Sequence, residues 1–171
     1  MGNTLPPLKT VPVEVPKMMG TWFVIGVLPT PFEHGAHNAR EIYTLRDESS
    51  GIVDIDFTFN KGSLGGPLKS LPQTGYNWGS DKWQVSPLWP LKLPYLVIES
   101  SDRLDDEDAY FVVGYPSRKY CWVMARKPEM EDAKYEGISK RLVETHQYKT
   151  PLIKVRHKWT KTGDTYARAA A

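Results

Sequence analysis

One short stretch limits the fold of this chain more than any other. From residue 53 to residue 60, apolar and polar side chains alternate strictly: Val53, Asp54, Ile55, Asp56, Phe57, Thr58, Phe59 and Asn60. A period of two is that of a β-strand, because successive side chains point to opposite faces of a sheet. The pattern therefore predicts a strand whose apolar face is buried and whose two aspartates lie in water, since an unpaired buried carboxylate is unfavourable.

Further strand candidates recur roughly every ten to fifteen residues, with turn residues between them. A continuous apolar run covers Thr21–Leu28 and ends before Pro29. The other candidates are Asn38–Arg46, Pro67–Leu71, Trp83–Leu88, Tyr95–Glu99, Ala109–Gly114 and Lys119–Arg126. This spacing is typical of an antiparallel barrel or sandwich and not of alternating strands and helices. We therefore predict an all-β fold with eight antiparallel strands between about residues 20 and 127.

A single segment has the spacing of a long helix. In residues 130–146, Tyr135, Ile138 and Leu142 lie on one helical face, and acidic residues stand at the start, where the helix dipole favours them. The pattern predicts one helix after the strands.

The ends of the chain differ from the strand region. Residues 1–17 contain four prolines, which predict an extended arm lying on the body of the protein. Residues 152–158 alternate again and predict a final strand. The folded domain is thus expected to span residues 18–160, and residues 161–171 are expected to form a disordered tail.

Charge and composition exclude several classes of protein. The 22 Lys and Arg residues balance 20 Asp and Glu residues without forming a basic stripe, so no nucleic-acid partner is expected. The single cysteine, Cys121, excludes an intramolecular disulfide and a cysteine-built zinc site. His34 and His37 lie on a predicted loop and are interpreted as polar surface, so neither a metal nor a cofactor is expected. Six tryptophans and nine tyrosines supply aromatic surface that needs a core or a ligand to contact.

Two motifs carry a resemblance to a known family. Gly20, Thr21 and Trp22 open the first strand after a proline-rich arm, and Tyr120–Arg126 forms the last barrel strand and ends in arginine. With Gly114–Arg118 before that strand, the chain resembles the lipocalins over about residues 15–158, specifically their bacterial, temperature-induced and apolipoprotein D-like branch. The resemblance implies an eight-stranded antiparallel up-and-down barrel with a C-terminal helix packed outside.

The resemblance also implies structural roles for the signature residues. Trp22, next to Gly20, would close one end of the barrel. Arg126 would lie across its indole as a cation–π contact, which contributes about 0.5–2 kcal/mol depending on exposure.

An eight-stranded barrel is just wide enough to enclose one small ligand. Strand alternation and the family register place twelve residues inside as candidate ligand contacts. They are Val24, Glu41, Tyr43, Ile55, Phe57, Phe59, Val85, Tyr95, Val97, Tyr120, Trp122 and Met124. Glu41 is placed near the mouth, either meeting a ligand head group or standing as an ordinary carboxylate in water. The alternative for the whole set is a packed core without a cavity.

The resemblance implies that the protein binds and carries or stores a small hydrophobic ligand such as a fatty acid or lysophospholipid, with a role in membrane maintenance or stress response. We expect no enzyme. The alternative is a lipocalin-type isomerase that uses Cys121, although alternation directs this side chain out of the barrel, opposite to Trp122.

Two apolar loops are candidate contact sites for a membrane or for a second copy of the chain. Residues 87–94 and 29–32 either cover the barrel or contact a membrane or a second copy, and a monomer or weak homodimer is expected. Met1–Pro6 lacks a signal-peptide pattern, which predicts a cytoplasmic location or a peripheral one at a membrane. The alternative is the bacterial outer membrane or periplasm after removal of a lipoprotein signal.

Overall fold

A computed structural model describes residues 4–79 and 83–169 of the 171-residue chain. Most of its strands belong to one antiparallel sheet: β1 (Gly20–Leu28), β2 (Ala36–Leu45), β3 (Val53–Lys61), β4 (Leu68–Tyr76), β5 (Gln84–Leu88), β6 (Leu91–Pro94), β7 (Leu96–Ser100), β8 (Tyr110–Gly114) and β9 (Cys121–Ala125). They pair in the order β6-β5-β4-β3-β2-β1-β9-β8-β7. Because β6 and β7 are joined through Tyr95, the two ends of this path meet and the sheet forms a nearly closed barrel.

The alternation predicted for β3 is confirmed. Val53, Ile55, Phe57 and Phe59 are all buried, whereas Asp56 is exposed and Asp54 is half-buried. The inward set belongs to the core of the barrel. The alternation in the sequence therefore identifies which side chains of β3 face the interior of the barrel.

The loop expected between residues 87 and 94 is instead part of a hairpin. Leu88 pairs with Leu91, and Val85 pairs with Leu93, so β5 and β6 extend the barrel edge. β6 ends at Pro94, which has no N–H to donate to a ladder. The strand predicted from Tyr95 corresponds to β7, which continues β6 after an interruption at Tyr95. At this interruption the backbone N–H of Tyr95 donates to the carbonyl of Trp83 at 2.9 Å.

An outer layer covers one side of the barrel. The predicted helix is α2, Asp132–Glu144, which buries Ile138 and Leu142 against outward-facing side chains of the strands. Among the described residues, α2 is the one long helix, as the pattern predicted. It is two residues shorter at each end than the predicted range of 130–146. The final strand is also shorter than 152–158: β10 (Ile153–Lys154) pairs with β1.

The disordered tail predicted for residues 161–171 is wrong for the described part of that segment. Strands β11 (Trp159–Thr162) and β12 (Thr165–Arg168) form a hairpin. Trp159 holds it to the barrel, because its ring packs on Phe23 with ring centres 5.1 Å apart. The guanidinium groups of Arg40 and Arg168 lie 5.1 and 4.9 Å from the centre of the same ring. Residues 170–171 lie outside the described residues.

The N-terminal arm lies on the barrel. Residues 4–14 have no regular structure, and a one-turn helix, α1 (Val15–Met18), follows. The N–H of Val11 bonds the carbonyl of Val97 at 2.9 Å, which fixes the arm against β7. Residues 1–3, which carry the start of the Met1–Pro6 pattern, and residues 80–82 lie outside the described residues. In the part of the chain that is described, no helix has the length and apolar character to cross a membrane.

Candidate functional site

Trp22 is the residue expected to close one end of the barrel as a plug, and it lies in the barrel core near the start of β1. Its side chain is fully buried, its Nε1 donates to the carbonyl of Met18 at 2.7 Å, and its ring meets Phe111 edge-on at 4.6 Å. The guanidinium of Arg126 lies 3.8 Å from the centre of the indole. The cation–π contact between Arg126 and Trp22 that the resemblance implied is present. The closure of the barrel by Trp22 stays a prediction.

Arg126 also fastens the chain around Trp22. Its side chain donates to the carbonyls of Leu104, Thr21, Lys17 and Met19, each at 2.9 Å. These bonds join the loop after β7, the first strand and the arm. The neighbouring Gly20 has a φ of +101°, and a Cβ there would stand 3.1 Å from the guanidinium, so this position favours glycine.

A cavity of about 70 Å³ lies inside the barrel, and most of the predicted ligand contacts form its wall. The predicted residues on the wall are Glu41, Tyr43, Ile55, Phe57, Val85, Tyr95, Trp122 and Met124. Sequence reasoning did not include Thr30, Phe32, Glu33, Leu71, Gln73, Pro87, Leu93, Pro94 and Val113. Several of these belong to the end of β4 and to the β5–β6 hairpin, which were predicted shorter or as loop.

Four predicted contacts are not among the described residues of that wall. Val24, Phe59 and Val97 are buried in the barrel core away from the cavity. Tyr120 is only half-buried and packs against Tyr115, with ring centres 5.0 Å apart. It precedes β9, so the strand alternation that directs Trp122 inward does not extend to it.

A polar cluster lies among the apolar side chains of the wall. The hydroxyl of Tyr43 donates to Oε2 of Glu41 at 2.5 Å, and the hydroxyls of Tyr43 and Tyr95 are 2.8 Å apart. Glu41 pairs in register with Trp22. Glu41 is buried, so the expectation of an ordinary carboxylate in water is wrong, while a contact with a ligand head group stays a prediction.

Glu33 is the functional candidate that sequence reasoning missed. It ends a one-turn 3-10 helix, Pro31–Glu33, and its Oε1 accepts hydrogen bonds from Nε1 of Trp122 at 2.8 Å and from the N–H of Thr30 at 3.0 Å. Strand periodicity cannot reveal a loop residue. The available signal was the capping-box spacing of Thr30 and Glu33, which tends to fold the glutamate back onto its own turn.

The two carboxyls have unusual acidity. Loss of hydration on burial raises the pKa of Glu33 and of Glu41 from 4.5 to about 7. For Glu41 the negative charge of Glu33 is a smaller contribution to the same rise of the pKa. Burial also raises the pKa values of Tyr43 and Tyr95 well above 10. The described wall contains no Lys, Arg or His to offset these carboxyls. The cavity is thus apolar, with an interior set of hydrogen-bond acceptors that are easily protonated.

The chain forms a nearly closed antiparallel barrel with an interior cavity and an outer helix. Its residues 13–157 match the lipocalin-like domain family. This chain belongs to the lipocalin family.

Two curated proteins are similar to this chain in sequence, and a solved structure is similar to it in fold. Temperature-induced lipocalin-1 of Arabidopsis thaliana is 26% identical over 141 residues, covering 77% of this chain and 73% of that protein. The outer membrane lipoprotein Blc of Escherichia coli K12 is 28% identical over 122 residues, covering 70% of this chain and 65% of the relative. Insecticyanin of the tobacco hornworm Manduca sexta has the same fold, with a TM-score of 0.61 at 16% identity over 90% of this chain and 86% of its own.

Replacing Glu41 with glutamine is expected to remove part of this lipocalin's pH dependence of stability. Because the folded pKa of about 7 exceeds 4.5, the folded state binds more protons between these values, and the resulting stability is lost as the pH rises through 7. The free energy of unfolding is measured with urea at about pH 5 and at about pH 8. From the lower to the higher pH, wild type should lose on the order of 2 kcal/mol more of this free energy than the variant does. His157, whose pKa burial lowers to about 4, contributes equally to both proteins. Parallel stability curves would contradict a buried, titrating Glu41.

Proposed function

We propose that this lipocalin binds and carries or stores one small hydrophobic molecule inside the barrel. The observation that carries the proposal is the interior cavity with its largely apolar wall, because an apolar ligand that enters it removes its own surface from water. Binding of small hydrophobic ligands is the property of the family. A single-chain lipid is the proposed class of ligand.

Entry of such a ligand requires the wall to move. The cavity of about 70 Å³ is smaller than the engineered cavity of about 150 Å³ that admits benzene in another protein. Phe32 lines the cavity and is 51% exposed, more than any other described wall residue. We expect the segment around Phe32 to shift outward when a chain enters.

Native mass spectrometry of the gently purified protein tests the proposal. The expected spectrum shows a one-to-one complex with a lipid-sized molecule, which organic extraction removes and which reappears when the extracted lipid is returned. A bare protein mass before extraction, together with no adduct after incubation with single-chain lipids, would contradict the carrier function.

The proposed biological setting is maintenance of membranes, with a part in stress responses. The names of two relatives, a temperature-induced lipocalin and an outer membrane lipoprotein, support this setting. Exposed apolar side chains at the β5–β6 hairpin support contact with a membrane surface: Leu88 is 68% exposed and Trp89 is 67% exposed. Lys92 stands 5.2 Å from the ring of Trp89 and adds a cation beside them.

Vesicles with brominated acyl chains are expected to quench part of the tryptophan fluorescence of the wild-type protein. Bromine quenches at short range, so the quenched fraction reports a ring inserted among the acyl chains. The Trp89→Phe variant should lose that fraction while keeping its melting temperature, because Trp89 is exposed. Equal quenching in the two proteins, or none in either, would mean that the hairpin is a cover for the barrel.

An isomerase using Cys121 is the second candidate, and the site does not favour it. The thiol is fully buried between the barrel and α2, and burial raises its pKa to about 12. A nucleophilic cysteine needs the thiolate, which a raised pKa disfavours. Retention by Cys121→Ser of whatever isomerase activity the wild type has would exclude this mechanism.

A further inference from the structure

The ionisable groups on the described wall of the cavity are acidic, with no basic side chain among them. Glu33 and Glu41 lie on the wall, each less than a tenth exposed, and neither a lysine nor an arginine nor a histidine accompanies them among the described wall residues. Tyr43, Tyr95 and Trp122 provide the neighbouring polar groups, and all are neutral near pH 7. The described wall therefore offers negative charge and contains no cationic side chain, and the guanidinium of Arg126 lies outside that wall, over the ring of Trp22.

The hydrogen-bond donors that the protein supplies to these carboxyls are neutral groups. Tyr43 donates to Oε2 of Glu41, and Trp122 and the N–H of Thr30 donate to Oε1 of Glu33. Neutral donors of this kind stabilise a carboxylate less than an ammonium group does, since charge-assisted hydrogen bonds are roughly twice as strong as neutral ones. Two carboxylates also repel each other in a site of low dielectric constant.

These observations bear on the head group of the ligand. A carboxylate head would place a third negative charge beside two buried ones. A protonated amine would neutralise one of them and donate hydrogen bonds, while its alkyl chain contacts apolar wall residues such as Phe57 and Met124. We infer that this cavity selects single-chain amphiphiles with a protonated amine head over those with a carboxylate head, an inference that rests on the proposed carrier function.

Three probes of equal chain length test the head group directly: dodecylamine, 1-dodecanol and dodecanoate. Each is titrated calorimetrically, below its aggregation concentration, into delipidated wild-type protein at about pH 8, where the amine is protonated and dodecanoate is ionised. The expected order of affinity is amine, then alcohol, then carboxylate, with at least a tenfold difference between the first and the last. Between about pH 6 and pH 8 the affinity for the amine should rise and that for dodecanoate should fall, because the raised pKa values let the carboxyls ionise in this range.

Two variants distinguish the contribution of the buried carboxyls to ligand affinity from that of the other wall residues. In Glu41→Gln, the affinity for dodecylamine is expected to fall about tenfold, that for dodecanoate to rise, and that for dodecanol to stay within twofold. The matched control is Glu136→Gln, which removes an exposed carboxyl on α2 and should change none of the three affinities. The pH dependence in the wild type remains a test even where a variant folds poorly.

The outcomes distinguish the two proposals. Equal affinity for the amine and the carboxylate, or tighter binding of dodecanoate at pH 8, would overturn the inference while leaving the carrier function in place. Saturable binding of none of the three probes would overturn both.

Discussion

Replacing Trp22 with alanine is expected to lower the free energy of unfolding by about 3–5 kcal/mol, the range for emptying a buried aromatic site. The indole is fully buried, contacts Phe111 and supports the guanidinium of Arg126. Its loss leaves a void in the barrel core and removes the partner of Met18's carbonyl. Chemical denaturation followed by circular dichroism measures the change.

The matched control is Trp89→Ala. Trp89 is 67% exposed, so its removal should change the free energy of unfolding by less than about 1 kcal/mol. A Trp22→Ala protein that unfolds at the same denaturant concentration as wild type would show that Trp22 is not the plug.

Replacing Ile55 with tryptophan is expected to abolish ligand binding while leaving the barrel folded. Ile55 is buried on β3 and lines a cavity of only about 70 Å³, so the added rings would occupy the space that a ligand needs. Overpacking of this kind destabilises by about 1–3 kcal/mol, less than the loss of the plug.

Asp56→Trp provides the control on the same strand. Asp56 is exposed and points to the opposite face of β3, so the same added bulk should leave ligand affinity within twofold of the wild-type value. Binding by Ile55→Trp as tight as that of wild type would mean that the ligand does not occupy this cavity.

The strands of the barrel were predictable because, in a sheet with one buried face, every second side chain along a strand is buried. On β3 the inward set follows from alternation alone, and on β2 the resemblance placed Tyr43 inside, where it is buried. Cys121 was correctly placed outside by its opposition to Trp122. Strand order and the contact of Arg126 with Trp22 followed from the family motifs and not from local pattern.

The C-terminal hairpin shows what local pattern does not reveal. Residues 159–168 are mostly polar and exposed, which resembles a solvated tail. Their order depends on contacts with residues distant in sequence: Trp159 and Tyr166 pack on Phe23. Such contacts arise only once the barrel has formed.

The candidate site was predictable in its apolar part and not in its polar part. Inward strand positions identified Phe57 and Met124, but Glu33 enters the cavity from a loop. The acidity of Glu41 depends on burial and on the approach of Glu33, both properties of the folded protein. Head-group selectivity is therefore a question that only the structure raises.

A calorimetric titration of the delipidated wild-type protein with 1-dodecanol tests most directly whether the barrel is a ligand site. A neutral probe avoids any effect of the carboxyls and reports the apolar cavity alone. The expected result is saturable one-to-one binding at micromolar concentration, with a stabilisation of about 2.7 kcal/mol at a hundredfold excess over Kd and with no binding by Ile55→Trp. Absence of saturable binding to wild type, with an unchanged melting temperature, would contradict the account and mean that the barrel interior is a packed core.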